Sequence, residues 1–263
     1  MHINQLRVLL GLERIVARLE HHSILRKHVI FKGGFVLFKT ISHPRFTRDI
    51  DASALSLSKS SLINCVTEAL RTDLKDDLWY GDITIKELVT HHELGGYRFD
   101  CAFQIGSIPL TRQIHKLSRL HLDIGLGDRI PKIPKTQKMI PLIQTNSEIS
   151  WRVYPPESIL AEKLETLCRR SESNSRAKDV FDLLKLLSIC KNSKRLETSI
   201  QTTFQNRNTP IPPSFFQHIS VLNPWVLKHA WNSVSLAGKR DSFEQAWSTL
   251  LRHLEELDAL LYD

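Results

Sequence analysis

Apolar positions near the start of the chain recur every three to four residues: Leu6, Leu9, Leu10, Val16 and Leu19. That period predicts a helix over residues 4–27. The short apolar run "HVIFKGG" follows and ends in Gly33-Gly34, after which "FVLFKT" starts a short helix. "RDIDAS" reads as a strand. "SKSSLINCVTEALR" returns to helical spacing, with Ser58 or Ser60 placed to cap it. The spacing then drops towards two: "DITIKELV", "GYRFDCAFQI" and "RLHLDIGLG" predict three strands. The proline-rich, basic "RIPKIPKTQK" predicts a loop. Beyond Pro155-Pro156 the period is helical again. "ESILAEKLETLCRR" opens with proline and glutamate in its first turn, "SESNS" is a polar loop, and "RAKDVFDLLKLLSIC" carries a stripe of Val180, Leu183, Leu184 and Leu187. Most of what remains also reads helical, ending in "SFEQAWSTLLRHLEELDALLYD". The expected fold class is α+β: a mixed sheet with flanking helices in residues 1–153, then an all-helical region over 154–263.

With 263 residues, the chain can bury a substantial core as one large domain or two smaller ones. Its formal charge of +8 suits a polyanionic partner such as RNA or a nucleotide, although basic proteins without such partners are common. Cys65, Cys101, Cys168 and Cys190 form no CxxC pair, which argues against a zinc site or a disulfide framework and for a reducing cytoplasm. No apolar run reaches membrane-spanning length, and the charged N-terminal helix lacks the core of a signal peptide. A cytoplasmic protein without a membrane partner is expected.

The chemistry concentrates in a few places. On a strand, Asp49 and Asp51 point to one face while Ile50 anchors the other. Two carboxylates that close repel unless a cation sits between them, and oxygen ligands suit a hard divalent ion. Alone, such a pair is more often a solvated edge or turn. Asp123 adds a third carboxylate: His121, Asp123 and Gly125 share one face of their strand, and Leu122, Ile124 and Leu126 take the other. Three converging acids could hold two Mg2+ ions for an in-line displacement at phosphorus. Gly33-Gly34 ahead of a helix could let phosphate approach backbone N–H groups, though two glycines alone are commonly just a turn. Lys163 and Asp179 each border a buried helical stripe, one turn from Ile159 and Leu183 respectively. They either line a cleft or pair to join two helices, and periodicity alone favours the pair. His21-His22 and His91-His92 lack metal-ligand spacing. The aromatics Phe204, Phe215, Phe216, Trp225, Trp231, Phe243 and Trp247 read as helical core rather than base-stacking platforms. The basic stretch from Arg129 to Lys138 serves solubility or a phosphate backbone equally well.

Taken in order, "FKGGFVLFKT…RFTRDIDAS", "LHLDIGLGD" and "PPESILAEKLETLCRR…RAKDVFDLL" resemble the AbiEii/AbiGii toxin family, nucleotidyltransferases of the DNA polymerase β-like superfamily. The resemblance covers roughly residues 30–190, and its two helical motifs are the more specific part. Gly34 stands where the wider superfamily often has serine, which removes a hydroxyl but leaves the backbone donors. The resemblance implies an Mg2+-dependent toxin of a type IV-like toxin–antitoxin or abortive-infection system, with a cognate antitoxin as partner. It would move a nucleoside monophosphate from NTP to an acceptor, RNA and first of all tRNA, and release pyrophosphate. Asp49 and Asp51 would hold the metals, and Asp123 would complete the site and help deprotonate the acceptor. Lys32, Gly33, Gly34 and Arg48 would meet the phosphates. Lys163 and Asp179 would position nucleotide or acceptor, with Asp182 as a neighbour and the helical region completing the cleft; Arg45 and Arg48 would neutralise phosphate charge or, equally well, belong to a solvated loop. Transfer to a protein or small molecule is the enzymatic alternative. A non-catalytic RNA- or protein-binding module is the alternative of another class, although such a binder has no need of three clustered acids.

Overall fold

The computed structural model describes residues 2–88, 95–127, 134–143 and 148–262, and within them apolar spacing decides most elements. Helix α1 (Ile3–His21) buries Leu9, Leu12, Ile15, Val16 and Leu19 along one stripe. The helix expected over 4–27 is interrupted: His22 is extended and caps α1 by donating its N–H to the Arg18 carbonyl, and α2 (Leu25–His28) adds one more turn. There follow β1 (Val29–Lys32), α3 (Gly33–Ile41), β2 (Asp49–Ala54) and α4 (Lys59–Arg71). Ser58 caps α4, its side chain accepting from the Ser61 N–H. Strands β3 (Leu78–Leu88), β4 (Gly96–Ile105), β5 (Arg119–Leu126), β6 (Lys135–Lys138) and β7 (Ser150–Val153) complete a seven-stranded sheet of order β3-β4-β5-β2-β1-β7-β6.

The sheet is mixed: β2 runs parallel to β5 and β1 to β7, and the other neighbours are antiparallel. Strict alternation along β5 sends Leu120, Leu122, Ile124 and Leu126 into the core and leaves Arg119, His121 and Asp123 half-buried on the opposite face. Helix α1 crosses the apolar face so closely that a Cβ on Gly11 would lie 2.7 Å from Leu120 and 3.1 Å from Phe103. Two elements escaped the sequence pattern. Residues Lys135–Lys138 were expected as loop, and they form β6 by pairing with β7, Thr136 opposite Arg152. Strand β7 in turn is anchored by Trp151, fully buried with its ring 5.5 Å from Phe31 and 6.0 Å from Phe35.

Beyond Val153 the chain is helical: α5 (Pro156–Arg170), α6 (Ala177–Ile189), α7 (Ser193–Asn206), α8 (Phe215–Ser220), α9 (Trp225–Trp231) and α10 (Phe243–Tyr262). Helix α5 starts on Pro156, where a missing N–H costs no hydrogen bond. Its core includes Leu160, Leu164, Val180, Leu183, Phe204, Phe215, Leu250 and Leu254. Of the aromatics expected to pack there, Phe204, Phe215, Trp231 and Phe243 are buried, while Trp225 is 61% exposed. The chain divides into two compact units: one takes the described residues of Met1–Thr40, Thr47–Asp128 and Pro134–Val153, the other those of Ile41–Phe46 and Tyr154–Asp263. His91-His92 and the first half of the basic stretch Arg129–Lys138, residues 129–133, lie outside the described residues.

Candidate active site

Strand β2 begins with the two acids. Asp49 and Asp51 are half-buried, Ile50 and Ala52 fully buried, so the strand turns its carboxylates to one face and its apolar side chains to the other. Register fixes their neighbours. Asp51 lies opposite Lys32 on β1 and opposite Asp123 on β5, and Asp123 lies opposite Arg98 on β4. One row across four strands therefore reads Lys32, Asp51, Asp123, Arg98. The next row reads Asp49, His121, Asp100. Side chains in one row share a face of the sheet.

These groups are wired together. Arg98 grips Asp123 with both ends of its fork, Nε to Oδ1 at 2.7 Å and Nη2 to Oδ2 at 2.7 Å. The Asp123 hydrogen bond, and then the charges of Asp123, Asp49 and Asp51, hold the guanidinium above its ordinary pKa. His121 bridges two carboxylates, Nδ1 to Asp49 at 3.1 Å and Nε2 to Asp100 at 3.0 Å. Asp100 is also tied to Arg119, which reaches Asp82 at 2.7 Å. Among the described residues no three or more His, Cys, Asp or Glu side chains converge closely enough to hold a metal ion together. The pairing explains it: Asp123 turns to Arg98, and Asp49 to His121. Mg2+ does not need such a cage, since it is commonly held by one or two carboxylates plus substrate phosphates. Asp49 and Asp51, side by side on one face, fit that donor set.

Gly33 makes the Asp51 position possible. Its φ is +73°, and a Cβ there would lie 2.1 Å from Asp51 Oδ2. The Asp51 carboxylate thus packs against the first residue of α3, where a side chain of any kind would displace it. Unpaired N–H groups at a helix start favour anions, so this corner suits both the carboxylate and an incoming phosphate.

The helical unit carries a second cluster. Lys163 on α5 donates to Asp179 Oδ1 at 2.7 Å and reaches Asp182 Oδ2 at 2.7 Å, both on α6. Arg45 clamps Asp182 through Nε at 2.7 Å and Nη2 at 3.0 Å, and Arg176 holds Asp179 at 2.6 Å. All but Arg176 are buried. Burial pulls the Lys163 ammonium down, but Asp179 and Asp182 outweigh it and hold its pKa above the ordinary value. Burial also raises both carboxylates, and the cations win there too, keeping Asp179 and Asp182 low. His43 accepts the Arg45 N–H on Nδ1 at 3.0 Å and donates from Nε2 to the Phe181 carbonyl at 3.2 Å. That tautomer is neutral, and burial depresses the pKa of the ring.

A family model described as nucleotidyl transferase AbiEii toxin of type IV toxin–antitoxin systems matches residues 14–260. The chain belongs to this family. It is a nucleotidyltransferase toxin by descent, and its sheet followed by helices is the fold of nucleotidyltransferases. The crystal structure of JHP933 from Helicobacter pylori superposes with a TM-score of 0.60 at 17% identity, over 99% of this chain and 94% of that one. A second H. pylori crystal structure, of a protein described as a nucleotidyltransferase, gives 0.60 at 15% identity over 99% and 97%. At such identities the likeness concerns the fold. No curated protein matches the chain.

The sequence candidates fall into two groups. Asp49, Asp51, Asp123, Lys32, Gly33 and Gly34 meet on the sheet and at the start of α3, and Arg48 is exposed just ahead of β2. Lys163 and Asp179 meet in the helical unit. Asp182 and Arg45 are full members of that cluster, and Arg45 is 6% exposed rather than part of a solvated loop. Sequence reasoning missed Arg98 and Asp100. Their signal was present: in "GYRFDCAFQI" Arg98, Phe99 and Asp100 repeat the polar–apolar–polar spacing of Asp49, Ile50 and Asp51. It takes β-sheet register, which sequence does not supply, to set the two triplets on one face.

Proposed function

We propose that this AbiEii-family chain transfers a nucleoside monophosphate from an NTP to an acceptor hydroxyl on RNA, tRNA first, and releases pyrophosphate. The observation that carries the reading is the placement of Asp49 and Asp51 on one strand face, with Asp51 seated against Gly33 at the start of α3. Asp49 and Asp51 would hold Mg2+, with Asp123 in register beside them; a carboxylate offers about four lone-pair sites, so Asp123 can keep Arg98 and still face a cation. When bound, Mg2+ neutralises phosphate charge and aligns the attacking and leaving oxygens. The chain's own residues do the rest. The first N–H groups of α3, with Lys32 and Arg48, would meet the triphosphate. Asp123 would accept the acceptor hydroxyl's proton. Lys163 and Asp179 are positioning residues in this reading, held in the charged cluster of the helical unit. The family brings a cognate antitoxin as partner.

Incubating the protein with each labelled NTP, Mg2+ and total RNA tests the proposal. Label entering an RNA species, with pyrophosphate released in equal amount, is the expected result. Label entering protein instead would move the acceptor. No transfer from any NTP would leave a non-catalytic binding module.

A further inference from the structure

The register row Lys32, Asp51, Asp123, Arg98 sets two acids between two cations across four adjacent strands. Strands lie about 4.8 Å apart, so the two cations are rooted roughly 14 Å from one another with the acids between them. Cations on both flanks of a pair of acids suit a metal-bound polyphosphate, whose charge extends beyond the metal on both sides. Arg98 is built for the outer position. Its Nε and Nη2 are fixed by Asp123, while Nη1 bonds to no group among the described residues. Its side chain is 37% exposed, so the free edge of the fork is accessible. A guanidinium gripped on one edge is pre-organised to accept an anion on the other.

We infer that Arg98 is a further substrate-binding residue, contacting the phosphates of the nucleotide, and that Asp123 positions it. This deepens the transfer reading proposed above and rests on it. Arg98 gives the acidic face a cation that stays charged at every working pH, next to the acids that would otherwise repel a triphosphate. It also gives Asp123 work that does not require it to touch metal.

The test is equilibrium binding of each Mg·NTP and of Mg·tripolyphosphate, which has no base or sugar. The parent is compared with Arg98→Ala, Arg98→Lys, Asp123→Asn and the Arg98→Ala/Asp123→Asn double variant, each checked for an unchanged melting transition. Losing a charge-assisted contact should weaken both kinds of probe by roughly ten-fold to a hundred-fold in Arg98→Ala. Arg98→Lys, which keeps the charge and loses the fork, should fall between, and it carries the test if the alanine variant melts early. Asp123→Asn should weaken binding less than Arg98→Ala, and the double variant should bind no worse than Arg98→Ala alone. Binding by Arg98→Ala and Arg98→Lys equal to the parent would overturn the inference and leave Arg98 as a bridge between strands. Additive losses in the double variant would overturn the positioning role of Asp123. A parent that binds no Mg·NTP would overturn the transfer reading itself, a result distinct from either.

Discussion

At the scale of single residues, the sheet face makes two sharp expectations. Asp49→Asn and Asp51→Asn each remove charge from a metal ligand while keeping shape, so transfer should be lost. Both side chains are half-buried beside other acids, and Asp49 also meets His121 at 3.1 Å, so relieved repulsion and weakened pairing oppose each other and melting temperature should change little. Full transfer by either variant would remove the metal reading. Gly33→Ala acts on the same spot from the other side. Its Cβ would fall 2.1 Å from Asp51 Oδ2 on a backbone at φ +73°, so either the carboxylate or the turn must move. A loss of about 1–3 kcal/mol in stability is expected from the strain. Transfer should fall further than the folded fraction does, because Asp51 is displaced even in folded molecules. Activity that tracks folded protein one-for-one would make Gly33 a turn residue and nothing more.

At the scale of elements, the buried cluster between α5 and α6 has consequences that a surface pair would not. Lys163→Met leaves Asp179 and Asp182 in the core with one fewer cation, and breaking such a pair costs about 3–5 kcal/mol. The pH dependence follows from the shifts. Asp179 and Asp182 are held below the ordinary carboxylate value of 3.8, so their contribution is present above it and lost as pH falls through their folded values. Lys163 is held above 10.5, so its contribution is present below that and lost as pH rises through its folded value. The cluster's contribution should therefore be constant through neutral pH and fall in acid below about pH 4, which the difference between parent and Lys163→Met melts isolates. Lys163→Met should start lower and lose less on acidification, because its carboxylates gain by protonation. Parallel acid losses in both proteins would show that Lys163 is not what holds the two acids charged. This cluster also marks how far the sequence could be read. The 3.6 period placed α5 and α6 and left Lys163 and Asp179 at the margin of buried faces, from which a helix-joining pair was the plainer inference. It gave no sign that Arg45, more than a hundred positions earlier, clamps Asp182. Likewise the period of two placed β2 and β5 and turned Asp49, Asp51 and Asp123 out of the core, but pairing order is a long-range property. Strand β6, with no apolar alternation, exists only because β7 offers it hydrogen bonds, and nothing within "KTQK" encodes that.

At the scale of the whole molecule, a net charge of +8 bears on the acceptor more than on the fold. A polyanion docking outside the acidic face would release counterions, so its apparent affinity should fall with a log–log salt slope of about −0.7 per single-strand phosphate contacted. A small acceptor touches few phosphates and should respond little. Strand β6 is an edge of the sheet, and Lys135 and Lys138 on it are exposed, with Lys138 also paired to Glu148 at 2.7 Å. Cations on an edge strand have a rival purpose, since they keep other strands from pairing there. The two purposes separate in Lys135→Ala/Lys138→Ala. If these lysines track an RNA backbone, KM for the RNA acceptor should rise at low salt and its salt slope should flatten by about one to two contacts' worth, while KM for NTP stays put. If they guard the edge, the slope should be unchanged and the variant should self-associate at concentrations where the parent is monodisperse, as light scattering would reveal. An acceptor KM insensitive to salt in both proteins would argue against RNA and for a small-molecule or protein hydroxyl.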